Sequence, residues 1–212
     1  MGMNHPPEAV VREAPEPGSD VRTVTVLLAG QSNMAGRGTT AGDESDPDSR
    51  ILAWSRNGAW QIAGDPLHWD KPEAGVGPGI SCARTLLAAG IAERVRLIPA
   101  AVGGSSAADW KPGAYHPTTA AHPLDDALSR VAGALGTGAP NAILWHQGES
   151  DANEHSAPEY AAELERIVSQ FRSALGDQDL PFLAGTLGDF LVRKNPCATQ
   201  INSAIRTLPV HV

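Results

Sequence analysis

Three short segments of this chain bring together the residue types that acyl transfer needs. Gly30-Gln31-Ser32-Asn33-Met34 carries a serine just after a glycine and an amide. Gly103-Gly104-Ser105-Ser106 offers flexible backbone, and Gln147-Gly148-Glu149-Ser150-Asp151 offers an amide and two acids. A serine hydroxyl at a sharp turn can attack an ester carbonyl once a base takes its proton. Backbone N–H groups and a neutral amide can hold the oxyanion that develops. Taken alone, Ser32 could equally cap the turn that follows it. It does not sit in a Gly-x-Ser-x-Gly elbow, because Met34 stands where the second glycine belongs.

Such segments work only if something places them together. Val21 to Ala29 is rich in β-branched and apolar residues and reads as a strand buried on both faces. Arg94 to Val102, Asn141 to His146 and Phe182 to Leu187 read as further strands, and ILAW and AWQI as short ones. Helices are expected over about 79–89, 124–135 and 200–208. The clearest spans Ala157 to Leu175, where Tyr160, Leu164, Ile167, Val168 and Phe171 recur at helical spacing. Val210-His211-Val212 reads as a strand beginning. Strand alternating with helix predicts a three-layer α/β domain with a central parallel sheet. Such sheets bind ligands at the carboxyl ends of their strands. All three segments follow predicted strands, and Gly185 to Asp189 follows the fourth.

The longer segments LLAGQSNMAGRG (Leu27 to Gly38), AVGGSS (Ala101 to Ser106) and LWHQGESD (Leu144 to Asp151) occur in that order on successive strands. Over about residues 22–212 the chain resembles the SGNH-hydrolase superfamily, in its branch of sialate O-acetylesterase-like and acetyl-xylan-esterase-like carbohydrate esterases. The resemblance implies a flavodoxin-like α/β/α fold and hydrolysis of acetyl esters on sugars by a serine enzyme that uses neither metal nor cofactor. It makes Ser32 the nucleophile, its own N–H part of the oxyanion hole, and Gln147 the third donor in place of the more frequent asparagine. The second donor falls at Gly104 or Gly103, with Gly104 preferred. Glu149 and Asp151 are candidates for orienting Gln147. Arg37 is a candidate for a sugar contact or a salt bridge, and Trp110 for stacking on a pyranose ring.

The resemblance departs at the catalytic base. The family's Asp-x-x-His has no match, since Leu208 stands three residues before His211. Truncation before the last strand and helix is the expectation this sets. Of the other histidines, His146 should face away from Gln147 across the strand, whereas His116 and His122 fall near the cleft mouth. His68, His155 and His5 carry no argument. A second reading is therefore a carbohydrate-binding remnant that lacks turnover.

Composition closes off other classes. The charge is −8 from 16 basic and 24 acidic residues, with no basic run, which argues against nucleic acid and anionic lipid. Cys82 and Cys197 are too few for a disulfide scaffold and wrongly spaced for zinc. The longest apolar run is far short of a membrane span. Residues 1–20, rich in proline and acid and without a signal-like apolar segment, read as a disordered tail on a cytoplasmic protein. GVGPG (Gly75 to Gly79) follows no strand and lacks the lysine of a phosphate loop. The expected partner is a small-molecule or glycan acetyl ester.

Overall fold

The computed structural model describes residues 21–39 and 47–208. The expected tail over 1–20 and the strand at Val210–Val212 lie outside the described residues. Among the described residues six strands form one sheet: β1 (Thr23–Gly30), β2 (Ile51–Trp54), β3 (Trp60–Ile62), β4 (Arg94–Pro99), β5 (Ala142–His146) and β6 (Phe182–Ala184), in the order β3-β2-β4-β1-β5-β6. Every neighbouring pair is parallel except β2 and β3, which form an antiparallel edge. Two short strands joined by a tight turn can only pair this way, so the expected parallel sheet is mixed at that edge.

The helices are α1 (Ser32–Ala35), α2 (Pro78–Ala88), α3 (Pro123–Leu135), α4 (Tyr160–Leu175), α5 (Asp189–Val192) and α6 (Pro196–Thr207). Alternation along β1 divides the core in two. Leu27 and Ala29 pack with Ile98, Ile143 and Trp145 under α3, α4 and α6. Val26 and Leu28 pack with Val95, Leu97 and Ile51 over α1 and α2. This is the three-layer α/β/α arrangement, and β1 is buried from Thr25 to Gly30, with an apolar run over 26–29, because both its faces are covered. The periodic face of α4 is buried as its spacing predicts, with Leu164, Ile167, Val168 and Phe171 at 0 % exposure. At the β6 edge the covering thins. Leu144 is half-buried and its cross-strand partner Leu183 is 53 % exposed.

Several boundaries differ from the sequence expectation. The strand expected over Phe182 to Leu187 ends at Ala184 because β5, its one neighbour among the described residues, ends at His146. α6 starts at Pro196 rather than near residue 200, because the Asn195 side chain accepts the Cys197 N–H at 3.0 Å and caps it. No helix among the described residues is long and apolar enough to cross a membrane.

Candidate active site

The carboxyl ends of β1, β4 and β5 converge on one point. Gly30 pairs with His146, and the Gln31 N–H donates to the His146 carbonyl at 2.9 Å. On the other side the Val102 N–H donates to the Gly30 carbonyl at 2.9 Å. Gly30 has φ +126°, and a Cβ there would lie 2.3 Å from the His146 oxygen, so only glycine permits this turn. The chain then enters the single turn of α1 with Ser32 first. The first turn of a helix has no carbonyl upstream of its N–H groups. Among the described residues neither the Ser32 N–H nor its hydroxyl has a hydrogen-bond partner.

Gln31 ties this turn to the β5 loop. It is buried, and its Oε1 accepts from Gln147 Nε2 at 3.2 Å and from the N–H groups of Gly148 and Ser150 at 3.3 Å each. Its Nε2 donates to Glu149 Oε2 at 3.2 Å. Ser150 carries the link onward, its hydroxyl donating to the Gly104 carbonyl at 3.0 Å. The serine turn, the glycine loop and the β5 loop are thus one connected unit. Sequence reasoning missed Gln31, although its place directly before the candidate nucleophile was a usable signal.

The two glycines, inseparable in the sequence, separate in space. Gly103 is buried and its N–H donates to Asp70 Oδ2 at 2.7 Å. Gly104 is exposed, has φ +88°, and its N–H has no partner among the described residues. Gly104 therefore has the free donor and Gly103 does not. Asp70 is itself paired with Arg37, whose Nη2 lies 3.5 Å from Oδ2 while its Nη1 donates to the Gly36 carbonyl at 2.6 Å. Of the two readings of Arg37, the salt bridge is the arrangement found. Asp70 was not foreseen, since it lies in a long loop with no periodic signal.

Gln147 is at 0 % exposure, and its Nε2 donates to the Ser105 carbonyl at 3.0 Å and to Asp151 Oδ2. An amide has two hydrogens, and both are engaged within the protein. The arrangement makes Gln147 a tie between loops rather than a third open donor. Asp151, 4 % exposed, also accepts the Ala107 N–H at 2.9 Å on the same oxygen that takes the Gln147 amide. Burial pushes its carboxyl above the usual aspartate range, opposed by the bonds from Gln147 and Ala107. Glu149 orients Gln31 instead.

Trp110 corrects the sequence expectation outright. It is at 0 % exposure, edge-on to Trp145 with centroids 5.0 Å apart, and its Nε1 donates to Ser105 Oγ at 3.0 Å. An indole fits either a core or a sugar face, and here the core wins.

The described histidines hold other posts, and none hydrogen-bonds Ser32. His146 lies across the strand from Gln147, its Nε2 on the Thr186 carbonyl at 3.0 Å. His122 Nδ1 is 2.9 Å from the Ala114 carbonyl. His68 is buried, and desolvation drives its pKa down to about 3, so it is neutral. His116 stands beside the glycine loop, with Nδ1 3.4 Å from Asp109 Oδ2.

Comparisons with known proteins show the family and the fold. Residues 22–211 match the family model of the sialic acid-specific acetylesterase carbohydrate esterases. The chain belongs to this family. A probable carbohydrate esterase of Arabidopsis thaliana is 33 % identical over 178 residues, covering 74 % of this chain and 66 % of that protein, just under two thirds of its length. The crystal structure of an Arabidopsis thaliana protein superposes with a TM-score of 0.74 at 26 % identity, over 87 % of this chain and 80 % of that one. The fold is shared with NanS (TM-score 0.66, 19 % identity, 95 % and 76 % covered). It is shared too with a carbohydrate acetylesterase from Xanthomonas citri (TM-score 0.58, 18 % identity, 87 % and 47 % covered).

Proposed function

We propose that this family member removes O-acetyl groups from carbohydrates, O-acetylated sialic acids among them, through an acyl-enzyme on Ser32. The observation that carries this reading is that the Ser32 hydroxyl and two N–H groups at adjoining strand ends, of Ser32 and Gly104, have no hydrogen-bond partner among the described residues. In the first step Ser32 Oγ bonds to the acetyl carbon and its proton passes to a base. The carbonyl oxygen becomes an oxyanion facing the two N–H donors. The C–O bond to the sugar then breaks, the sugar oxygen takes a proton, and acetyl stays on Ser32. Water adds to the acyl-enzyme in the same way and releases acetate. Gln147, Asp151 and Gln31 act through position, by fixing the loops that carry the donors.

Turnover of p-nitrophenyl acetate by the purified chain tests the assignment. Ser32→Ala is expected to lower kcat by about 10⁴–10⁶-fold, as loss of the serine does in other triads. More than a tenth of the activity surviving would remove Ser32 from the role. One observation favours a second reading, a glycan-binding chain without turnover: no described histidine bonds to Ser32. Under that reading the parent and Ser32→Ala chains hydrolyse the ester equally slowly and bind sugar equally well.

A further inference from the structure

Two loops wall a cleft of about 490 Å³ beside the glycine loop, one over residues 70–73 and the other over 117–120. The second loop starts at His116, and a two-way backbone bridge closes it: the His116 N–H donates to the Ala121 carbonyl at 2.8 Å and the Ala121 N–H returns to the His116 carbonyl at 3.3 Å. His116 is 8 % exposed, yet its Nε2 has no hydrogen-bond partner among the described residues. Thr119 Oγ1, on the cleft wall, is buried and equally without a partner. Buried polar atoms are ordinarily satisfied, and leaving one unmade is costly. Thr119 lines the cleft and His116 begins the loop that walls it, beside Gly104, so two such atoms at one cleft are groups waiting for a ligand.

The chemistry of these atoms defines that ligand. Asp109 Oδ2, itself held by the Ser106 N–H at 2.7 Å and hydroxyl at 2.8 Å, lies nearest to His116 Nδ1 and favours the proton there. His116 Nε2 then presents a lone pair, which accepts from a hydroxyl. Thr119 both donates and accepts. Lys71 adds three donors. A Cβ placed on Gly104 would lie 3.6 Å from Lys71 Nζ and 3.9 Å from His116 Nε2, so both reach the residue with the free oxyanion donor. An acceptor, an amphoteric hydroxyl and a cation around one open cleft suit a polyhydroxylated ring.

Resting on the esterase reading above, we propose that this cleft is the subsite for the alcohol half of the ester. In it His116 Nε2 and Thr119 Oγ1 bind hydroxyls of the sugar ring, and Lys71 binds an oxygen at the mouth. His116 is thereby a specificity residue, since an ester whose alcohol lacks hydroxyls leaves its Nε2 unpaired.

The test compares 9-O-acetyl-N-acetylneuraminic acid with p-nitrophenyl acetate, whose leaving group carries no neighbouring hydroxyl. In His116→Ala, and in the near-isosteric Thr119→Val in case the first misfolds, the ratio of the two kcat/KM values is expected to fall about tenfold or more. Equal losses on both substrates would place His116 on the reacting atoms or in the fold and overturn the subsite, as would no loss on the sugar ester. A second arm needs no turnover. Saturation-transfer NMR of N-acetylneuraminic acid with the Ser32→Ala chain should give a signal that the added Thr119→Val removes; no signal, or an unchanged one, overturns the proposal. Ester hydrolysis surviving Ser32→Ala would sink the acyl-enzyme on Ser32 alone, and the NMR arm would still decide the cleft.

Discussion

Asp70 Oδ2 accepts the backbone N–H of Gly103 at 2.7 Å, and this bond decides which of the two glycine N–H groups is left without a partner among the described residues. With Gly103 turned inward onto a carboxylate that Arg37 neutralises, the next N–H, that of Gly104, is left pointing out. Under the proposed esterase reading, the oxyanion donor is thus set from the rear, by the Arg37–Asp70 salt bridge.

The two glycines should respond differently to the same change. A Cβ on Gly103 would lie 2.5 Å from Arg37 Nη2 and 2.6 Å from Asp70 Oδ2, so Gly103→Ala must break the salt bridge or move the loop. About 1–3 kcal/mol of stability should be lost, together with activity. Gly104→Ala meets nothing closer than 3.6 Å but imposes φ +88° on an alanine. Its cost should fall on kcat for acetyl esters with a smaller change in urea midpoint. Paired urea melts and esterase assays check this. Equal loss of stability in both variants would contradict it.

What the sequence revealed and what it hid follow from the range of the forces involved. β1, β4 and β5 were legible because burial on both faces gives each a run of consecutive apolar residues, and α4 because its buried stripe repeats at 3.6 residues. Their carboxyl ends then located Ser32, Gly104 and Gln147. The role of Asp70 was hidden because its partner is 33 residues away, and that of Gln31 because its partners lie 116–119 residues on. Trp110 misled because residue type alone does not separate a core indole from a sugar platform.

Gln31 is the tie whose removal should be felt most widely. Gln31→Ala would leave the N–H groups of Gly148 and Ser150 and one bond of Gln147 unmade in a buried setting. A loss of about 2–3 kcal/mol is expected from unsatisfied groups of this kind. kcat should fall with it even at temperatures where the variant is fully folded, because Ser150 also steadies Gly104 through its hydroxyl. Retention of full kcat in the folded variant would show that the loops hold without Gln31.

The β6 edge should govern association. Leu183 is 53 % exposed on a short strand that is outermost among the described residues. Leu183→Thr keeps strand preference while removing apolar surface. It should weaken concentration-dependent self-association in sedimentation velocity and leave the melting temperature within about 2 °C. Unchanged sedimentation would take this edge out of any association.

Asp151 should give stability its pH dependence. Burial raises its carboxyl pKa above that of the unfolded chain, outweighing the opposing bonds from Gln147 and Ala107. The folded state therefore binds the Asp151 proton more tightly than the unfolded state does. The stability that goes with this is present in full below the ordinary aspartate pKa and is lost as pH rises through the raised one. At neutral pH the buried carboxylate is thus a net cost. Asp151→Asn keeps the shape and an oxygen that can accept from both the Gln147 amide and the Ala107 N–H, without the charge. Its melting temperature should exceed the parent's at pH 7–8, and the difference should shrink as pH falls toward about 3.5, where the parent's carboxyl is protonated as well. The opposite trend, with the parent gaining on the variant as pH rises, would mean that the two hydrogen bonds outweigh burial and hold the Asp151 charge in place.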